Sequence, residues 1–172
     1  MGLQGTYLGG MGLTVDDLDQ ENMAYFGHCA RHDFHLQACD ACKRLRYPPT
    51  TACPWCATLE SHWVPVEGKG AVHSYGEVHH AIQPAFKGHT PYMILLVDLD
   101  TQNGEPTPDE ALRVAGNLCL PDGRLAPPEM VAKVGIGTRM RMVFSDVSEG
   151  LSLPQWTIDE EAAQPLPWRY PE

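Results

Sequence analysis

The sequence has few basic residues and no long hydrophobic run. Of its 172 residues only 12 are Lys or Arg, against 22 Asp or Glu, which gives a formal net charge of −10. Nucleic-acid binders gain affinity from Lys and Arg side chains that displace counterions from phosphate, so an acidic chain is a poor candidate for binding DNA or RNA. No stretch reaches the roughly 18 apolar residues of a membrane-spanning helix. We therefore expect neither nucleic acid nor a membrane as a partner.

The first residues also lack the features of an export signal. The segment MGLQGTYLGGMG has neither a basic start nor a long apolar run, and a secretory signal peptide has both. The sequence contains six cysteines, which stay reduced in the cytoplasm. We therefore expect a cytoplasmic protein whose cysteines are thiols or metal ligands rather than disulfides.

Four of the six cysteines form two Cys-x-x-Cys pairs in the segment CDACKRLRYPPTTACPWC, residues 39–56. Each pair can curl into a knuckle whose two sulfurs point at one centre, and two knuckles supply the four thiolates that a structural Zn²⁺ prefers. The predicted zinc ligands are Cys39, Cys42, Cys53 and Cys56. Four protein ligands leave no position for water or substrate, so we expect a structural zinc.

Two other interpretations of this segment remain. The sequence CPWC is similar to a thioredoxin-type redox site, but that site uses a single pair at the end of a strand in a βαβ unit. Four sulfurs can also hold iron, as in rubredoxin-like sites. The neighbouring Lys43, Arg44 and Arg46 would offset the net charge of about −2 that four thiolates leave around Zn²⁺. The two remaining cysteines, Cys29 and Cys119, have no partner at ligand spacing and are predicted to be buried thiols.

The pattern of residues predicts a mainly β protein. Strand-like segments rich in β-branched and aromatic residues occur at residues 63–66, 70–80, 92–99, 112–120, 138–144 and 153–158, with a short helix predicted at 128–134. About five strands with one short helix before the fourth or fifth are typical of a small, partly open OB-fold barrel. The predicted fold is an N-terminal helix and a four-cysteine zinc ribbon followed by a five-stranded OB-fold barrel.

The predicted domain boundaries follow from composition. They are a flexible N-terminal arm at residues 1–13, a helix at 14–33, the zinc ribbon at 34–62, the barrel at 63–158 and a C-terminal tail at 159–172. The arm contains five glycines and few core-forming residues. The helix begins with an oxygen cap and a run of acids. The tail is acidic and then rich in proline and aromatic residues, and we expect it to be flexible or docked on a partner.

The order of these parts carries a family resemblance. A helix and a four-cysteine ribbon precede a barrel that begins VPVEGKGAVHSYGEVHH and PYMILLVDLD and ends in GIGTRMRMVF. This arrangement resembles the zinc-ribbon plus OB-fold proteins long catalogued as a domain of unknown function and associated with acyl-CoA enzymes. The resemblance covers roughly residues 18–157, with its most specific marks in the ribbon and at Gly68–Gly70, Pro91–Tyr92 and Gly135–Gly137. The chain departs from the pattern in residues 100–128, the glycine-rich head and the aromatic tail.

The resemblance implies an accessory subunit of a heteromeric enzyme. Family members assemble with thiolase-superfamily subunits that act on acyl-CoA in condensation, thiolytic cleavage or aldol cleavage. Others pair with hot-dog-fold acyl-CoA hydratases. The catalytic residues are expected on the partner chain in the thiolase case, and we assign none here, because the sequence offers no nucleophile triad, phosphate loop or open metal site. The resemblance also implies that the barrel helps to enclose CoA in some complexes.

Two further expectations concern ligands. A groove for CoA needs an apolar wall for the pantetheine arm and a cation for phosphate, and Phe86, Lys87 and Tyr92 in QPAFKGHTPY offer that combination. Because ribbons and OB barrels often bind DNA or RNA, a single-stranded nucleic-acid binder is the alternative from another functional class. Its best candidates are Arg139 and Arg141, which share one face of a strand.

Overall fold

The computed structural model describes residues 2–171 and shows a mainly β protein. Its strands are β1 (Leu3–Tyr7), β2 (Met11–Val15), β3 (His35–Cys39), β4 (Leu45–Arg46), β5 (Ser61–Pro65), β6 (Lys69–Val78), β7 (Tyr92–Leu99), β8 (Arg113–Asn117), β9 (Arg139–Ser148) and β10 (Leu151–Ile158). Its helices are α1 (Gln20–Cys29), α2 (Pro128–Val131) and a 3-10 helix (Pro84–His89). Within residues 2–171 no helix combines the length and the apolar character needed to cross a membrane.

The glycine-rich head forms a hairpin, which differs from the flexible arm expected at residues 1–13. Strands β1 and β2 pair antiparallel around a turn in which Leu8 and Gly9 both have positive φ, of 50° and 68°. Positive φ at both central residues defines a type I′ turn, whose twist matches that of paired strands. A Cβ on Gly5 would lie 2.5 Å from Val147, so this glycine permits close packing on β9. The glycines thus serve a turn and a tight contact rather than mobility.

Helix α1 is shorter than the helix expected at residues 14–33, because Thr14 belongs to β2. The helix begins after Asp19, whose carboxylate accepts a hydrogen bond from the Asn22 amide at 3.0 Å, as an N-cap residue does. It ends at Cys29, and the chain turns away at His32, which has a positive φ of 55°. Tyr25 and Cys29 are buried in the main core, which joins α1 to the two sheets described next.

The ribbon is the three-stranded sheet of β4, β3 and β5, with β3 in the centre. Strand β3 pairs antiparallel with β5 in the register of Leu36 opposite Val64 and Gln37 opposite Trp63. The strand-like segment expected to open the barrel at residues 63–66 therefore belongs largely to the ribbon. Sequence patterning could not separate the two cases, because a half-buried strand looks the same whichever sheet it joins.

The barrel is a five-stranded antiparallel sheet in the order β10-β9-β6-β7-β8, and α2 precedes its fourth strand, as predicted. Its two edge strands face each other. The indole nitrogen of the fully buried Trp156 in β10 donates to the Val114 carbonyl in β8 at 3.1 Å. The Asn117 amide donates to the side-chain oxygen of Gln155 at 2.5 Å. Side chains thus close the barrel where its edge strands lack a continuous ladder, which protects both edges.

The C-terminal tail is docked on the barrel of its own chain. Trp168 exchanges backbone hydrogen bonds with Ile136 at 2.9 and 3.0 Å. The Arg169 guanidinium donates to the carbonyls of Val131 and Val134 and pairs with Glu77 at 2.6 Å. Composition predicted a tail that was flexible or held by a partner. It did not reveal that Arg169 can satisfy carbonyls left free at the end of α2.

We expect Arg169→Ala to release the tail. The substitution removes charge-assisted hydrogen bonds worth about 1–3 kcal/mol in typical proteins. Limited proteolysis should then cut the residues after Ile158 faster than in the parent chain. Arg124→Ala is the matched control, because Arg124 is exposed and its guanidinium pairs with the nearby Asp122. Equal protection of the tail in both variants would show that Arg169 does not anchor it.

Candidate metal centre and neighbouring surfaces

The four cysteines predicted as ligands converge at one end of the ribbon. Their Sγ atoms all lie within 4.8 Å of one another. The Cys39 and Cys56 sulfurs are 3.5 Å apart, and the Cys42 and Cys53 sulfurs are 3.7 Å apart. Strand β3 carries the first cysteine to its end, and the loop that precedes β5 carries the second pair.

The two knuckles have the same backbone geometry. In the first, the Lys43 amide donates to the Cys39 carbonyl at 3.0 Å, and in the second the Ala57 amide donates to the Cys53 carbonyl at 2.9 Å. Lys43 and Ala57 each follow the second cysteine of their pair and have positive φ, of 65° and 61°. Left-handed backbone in a non-glycine residue is uncommon. Its repetition at equivalent positions shows that each spacing builds the same sharp turn.

The geometry fits a four-coordinate metal. A tetrahedral zinc site with Zn–S bonds of about 2.3 Å has sulfur–sulfur edges of about 3.8 Å, close to the 3.5 and 3.7 Å separations observed. Cys39 and Cys53 are buried, whereas Cys56 is exposed. Four sulfur donors in a tetrahedral arrangement suit Zn²⁺ or iron. The cluster can therefore hold such an ion, and the donor set would leave no position open.

Hydrogen bonds tune the thiols of this cluster. Hydrogen bonds from the Thr58 hydroxyl and amide lower the pKa of Cys56 to about 6, and an amide hydrogen bond from Cys42 lowers the pKa of Cys39. At Cys42 an amide hydrogen bond from Arg44 is outweighed by burial and by the neighbouring cysteines, which raise its pKa to about 11. Amide donors around two of the sulfurs favour thiolates, the form that binds metal.

A buried arginine lies in the same small sheet. Arg46 is 1% exposed, and its guanidinium donates only a long hydrogen bond, 3.4 Å, to the Leu59 carbonyl. Its Nε and Nη1 nitrogens have no hydrogen-bond partner among the described residues. An uncompensated buried cation is costly, and a metal held by four thiolates would supply net negative charge within the ribbon. Of the three cations expected to offset that charge, Arg46 is buried, Arg44 is half-buried and Lys43 is exposed.

The three residues predicted to contact CoA do not all face solvent. Phe86 is 8% exposed, and its ring packs against Tyr92 and Tyr7 with ring-centre separations of 4.6 and 5.9 Å. Lys87, on the same 3-10 helix, is exposed. The two aromatic rings therefore form part of a small satellite core beneath the hairpin. The cation remains free to meet a ligand at the surface, so CoA binding at this place stays a prediction.

A groove that sequence reasoning did not identify lies where α1, the ribbon and the barrel meet. It encloses about 320 Å³ and is mainly apolar. Its wall is formed by Tyr25, Phe26, Tyr47, Ile94, Ala115, Gly116, Asn117, Leu153, Pro154 and Gln155. Burial raises the pKa of Tyr25 well above its usual value, so its phenol stays neutral. The aromatic pair on α1 was the only signal of this surface in the sequence.

Three hydrogen-bonded polar side chains between the segment after α1 and the barrel are not arranged as a catalytic triad. His32 Nε2 lies 2.6 Å from Asp146 Oδ1, and the Ser152 hydroxyl donates to the same oxygen at 2.7 Å. A nucleophile triad needs the histidine between serine and carboxylate, whereas here the carboxylate is in the middle. Ser152 is also 2% exposed. These hydrogen bonds therefore link the segment after α1 to β9 and β10 without activating a nucleophile.

We expect the Asp146 linkage to stabilise the fold only above acidic pH. Hydrogen bonds from His32 and Ser152 lower the pKa of Asp146, so its contribution is lost as the pH falls through the depressed value. Asp146→Asn should cost less than about 1 kcal/mol near neutral pH, because the pair is exposed. The difference should shrink below about pH 4. Urea unfolding at both pH values measures this, with the exposed Asp109→Asn as control. A difference that persists in acid would contradict the assignment.

Comparison with known proteins agrees with this architecture. The profile of the ChsH2 C-terminal OB-fold domain family matches residues 63–145. A chain of the solved Ltp2-ChsH2(DUF35) aldolase superposes with a TM-score of 0.65 at 28% identity, covering 84% of this chain and 98% of that one. A protein from Thermomonospora curvata named "Probable enoyl-CoA hydratase alpha subunit" is 37% identical over 137 residues. The match covers 80% of this chain but only 37% of the hydratase subunit. Residues 63–145 thus match an OB-fold domain of the ChsH2 C-terminal type, and these matches support the resemblance to OB-fold, acyl-CoA-associated accessory proteins that the sequence indicates.

Proposed function

We propose that this protein is a non-catalytic accessory subunit of a hetero-oligomeric acyl-CoA enzyme. The observation that carries the proposal is the match to a chain of the Ltp2-ChsH2(DUF35) aldolase, which extends over 84% of this chain and nearly the whole of that one. The similarity thus extends well beyond the barrel, which makes up a smaller part of the chain than the match covers. A likeness of that extent supports a shared role better than a barrel alone would.

The partner in this proposal is a thiolase-like catalytic subunit that carries out thiolytic, condensation or aldol cleavage chemistry on acyl-CoA. In the four-cysteine cluster, the cysteines would fill every coordination position of a bound metal and leave none for substrate. Among residues 2–171, the hydrogen-bonded series His32–Asp146–Ser152 contains no activated nucleophile. Both features agree with catalytic residues on another chain. The metal then has a structural task, because it would join the two cysteine knuckles of the ribbon.

A contact with CoA at the shared interface is a second part of the proposal. The exposed ammonium group of Lys87 offers a cation for a CoA phosphate, and the packed rings of Phe86 and Tyr92 hold its helix in place. The expected result of Lys87→Ala is a higher KM for acyl-CoA in the assembled enzyme with little change in kcat. That split is the signature of lost ground-state binding.

A hydratase partner is the second candidate. The observation that favours it is the 37% identity to the hydratase alpha subunit, which exceeds the 28% identity to the aldolase chain. This chain spans 37% of that subunit's length. A hot-dog-fold hydratase chain as partner would change the chemistry to water addition and leave the accessory role of this subunit unchanged.

The structure offers little to a nucleic-acid binder. Arg139, one of the two candidate cations on β9, forms a two-pronged pair with Asp100. This pairing leaves Arg141 as the remaining cation of the expected pair. One arginine in a chain of net charge −10 is weak support for a phosphate-binding groove.

Purification of the tagged protein from its native host, with mass spectrometry and metal analysis of the same eluate, tests the proposal. A thiolase-like chain at fixed stoichiometry, with about one zinc per small subunit, is the expected result. A hydratase chain would select the second candidate. Recovery of nucleic acid, or of no partner chain, would overturn the accessory-subunit proposal.

A further inference from the structure

A second group of metal-ligating side chains lies outside the cysteine cluster. His28 is in the last turn of α1, Asp33 is in the connection that follows, and His35 opens β3. One ligand atom from each of the three lies within 4.8 Å of the other two. The imidazole and carboxylate donors in this set differ from the four thiolates of the ribbon and suit Zn²⁺, Ni²⁺ or Cu²⁺.

The backbone holds this group in a fixed arrangement. The Asp33 amide donates to the His28 carbonyl at 3.2 Å, and the Val66 amide donates to the Phe34 carbonyl at 2.8 Å. Cys29 and Phe34, which alternate with the polar residues along the chain, are 0% and 5% exposed. The buried neighbours anchor the segment, so the three polar side chains are presented together on its outer side.

Within the group, a lone pair on Nδ1 of His28 already accepts a hydrogen bond from a cationic side chain. The Arg31 guanidinium lies 2.9 Å from Nδ1 of His28, and because a guanidinium group only donates, Nδ1 must be the unprotonated, accepting nitrogen. The rings of His28 and His35 stack with centres 4.0 Å apart. Asp33 Oδ1 lies 3.3 Å from His35 Nδ1 and adds the negative charge.

From this arrangement we infer that His28, Asp33 and His35 form a second metal site, selective for a divalent transition-metal ion. The ion takes the place of the Arg31 guanidinium at Nδ1 of His28, and the two imidazole rings turn from their stacked position to face it. Arg31 keeps a separate hydrogen bond to the Gly27 carbonyl at 2.6 Å, which lets it remain at the end of α1. Three protein ligands leave coordination positions for water, because the Asp33 side chain is 53% exposed.

The test uses the untagged full chain, loaded first with one equivalent of zinc to fill the cysteine cluster, and then titrated with NiCl₂ by calorimetry. Trp63 gives an independent signal, because its ring centre is 5.4 Å from that of His28 and a bound nickel ion quenches nearby indole fluorescence. We expect one nickel ion per chain with micromolar or tighter affinity. His35→Ala and Asp33→Asn should each weaken binding by at least about tenfold.

Two further variants make the test specific. Arg31→Ala should tighten nickel binding several-fold, because it removes both a competing donor and a nearby positive charge. His79→Ala is the matched control, since His79 is an exposed histidine beside a carboxylate, Glu77, outside the group. It should leave the affinity unchanged. No second metal in the parent chain, an equal loss in His79→Ala and His35→Ala, or no tightening in Arg31→Ala would overturn the site.

Discussion

Cys53→Ser should abolish metal binding by the ribbon and unfold that lobe. The cysteine is 3% exposed, and its sulfur lies 3.7 Å from that of Cys42, so the substitution removes a ligand from the interior of the cluster. Structural zinc contributes an apparent binding free energy of about 10–16 kcal/mol in zinc-finger peptides. Because Leu36 of β3 also holds the ribbon in the main core, we expect the unfolding to be concentrated in the two knuckles, which the metal joins.

Cobalt replaces zinc in this experiment, because thiolate-to-cobalt absorption reports the cysteine site and is silent at an imidazole and carboxylate site. The parent chain should show that absorption with one cobalt per chain, and Cys53→Ser should show none. Cys119→Ala is the control, because Cys119 is a buried cysteine outside the cluster. A Cys53→Ser protein that keeps the thiolate absorption and still binds its partner would refute the structural role of the cluster.

Trp156→Ala should destabilise the whole barrel. The side chain is fully buried, and its indole nitrogen donates a hydrogen bond of 3.1 Å to the Val114 carbonyl in β8. Its backbone carbonyl accepts a hydrogen bond from the Cys119 amide at 2.7 Å. Truncation of a buried Trp typically costs about 3–5 kcal/mol through lost burial and the cavity left behind. We expect a lower urea midpoint, measured by circular dichroism, which does not depend on the removed chromophore.

Two further variants test whether the loss of stability comes from the buried Trp156 side chain. Trp156→Phe keeps an aromatic ring and removes the N–H donor, so its loss should be smaller than that of Trp156→Ala. Trp168→Ala removes a Trp side chain that is 54% exposed and leaves its backbone bonds to Ile136 intact. That change should cost less than about 1 kcal/mol. Equal losses at the two tryptophans would show that the barrel closure at β8 and β10 does not depend on Trp156.

The convergence of the four cysteines could be predicted from the sequence because their geometry is local. Cys39 and Cys42, like Cys53 and Cys56, are each separated by two residues, and a knuckle of that spacing directs both sulfurs to one point. The barrel strands were predictable for a related reason, because β-branched and aromatic residues are concentrated in these segments. These features depend on residues close together in the chain.

The remaining features depended on contacts between distant parts of the chain. The hairpin forms because Gly5 packs against Val147 and Tyr7 against Phe86, and no local pattern reports either contact. The tail is fixed by Arg169 meeting Glu77, which lies on a strand ninety-two positions earlier. Strand β5 belongs to the ribbon because it pairs with β3, and its composition does not reveal this pairing.

The sequence by itself determined the four-cysteine cluster, the mainly β class and the family resemblance. The tertiary structure decided where the two ends of the chain dock, which histidines meet and which arginine of the ribbon is buried. The physical reason is the same in each case. Local spacing sets the direction of neighbouring side chains, whereas burial and long-range pairing are set by which surfaces the folded chain brings together.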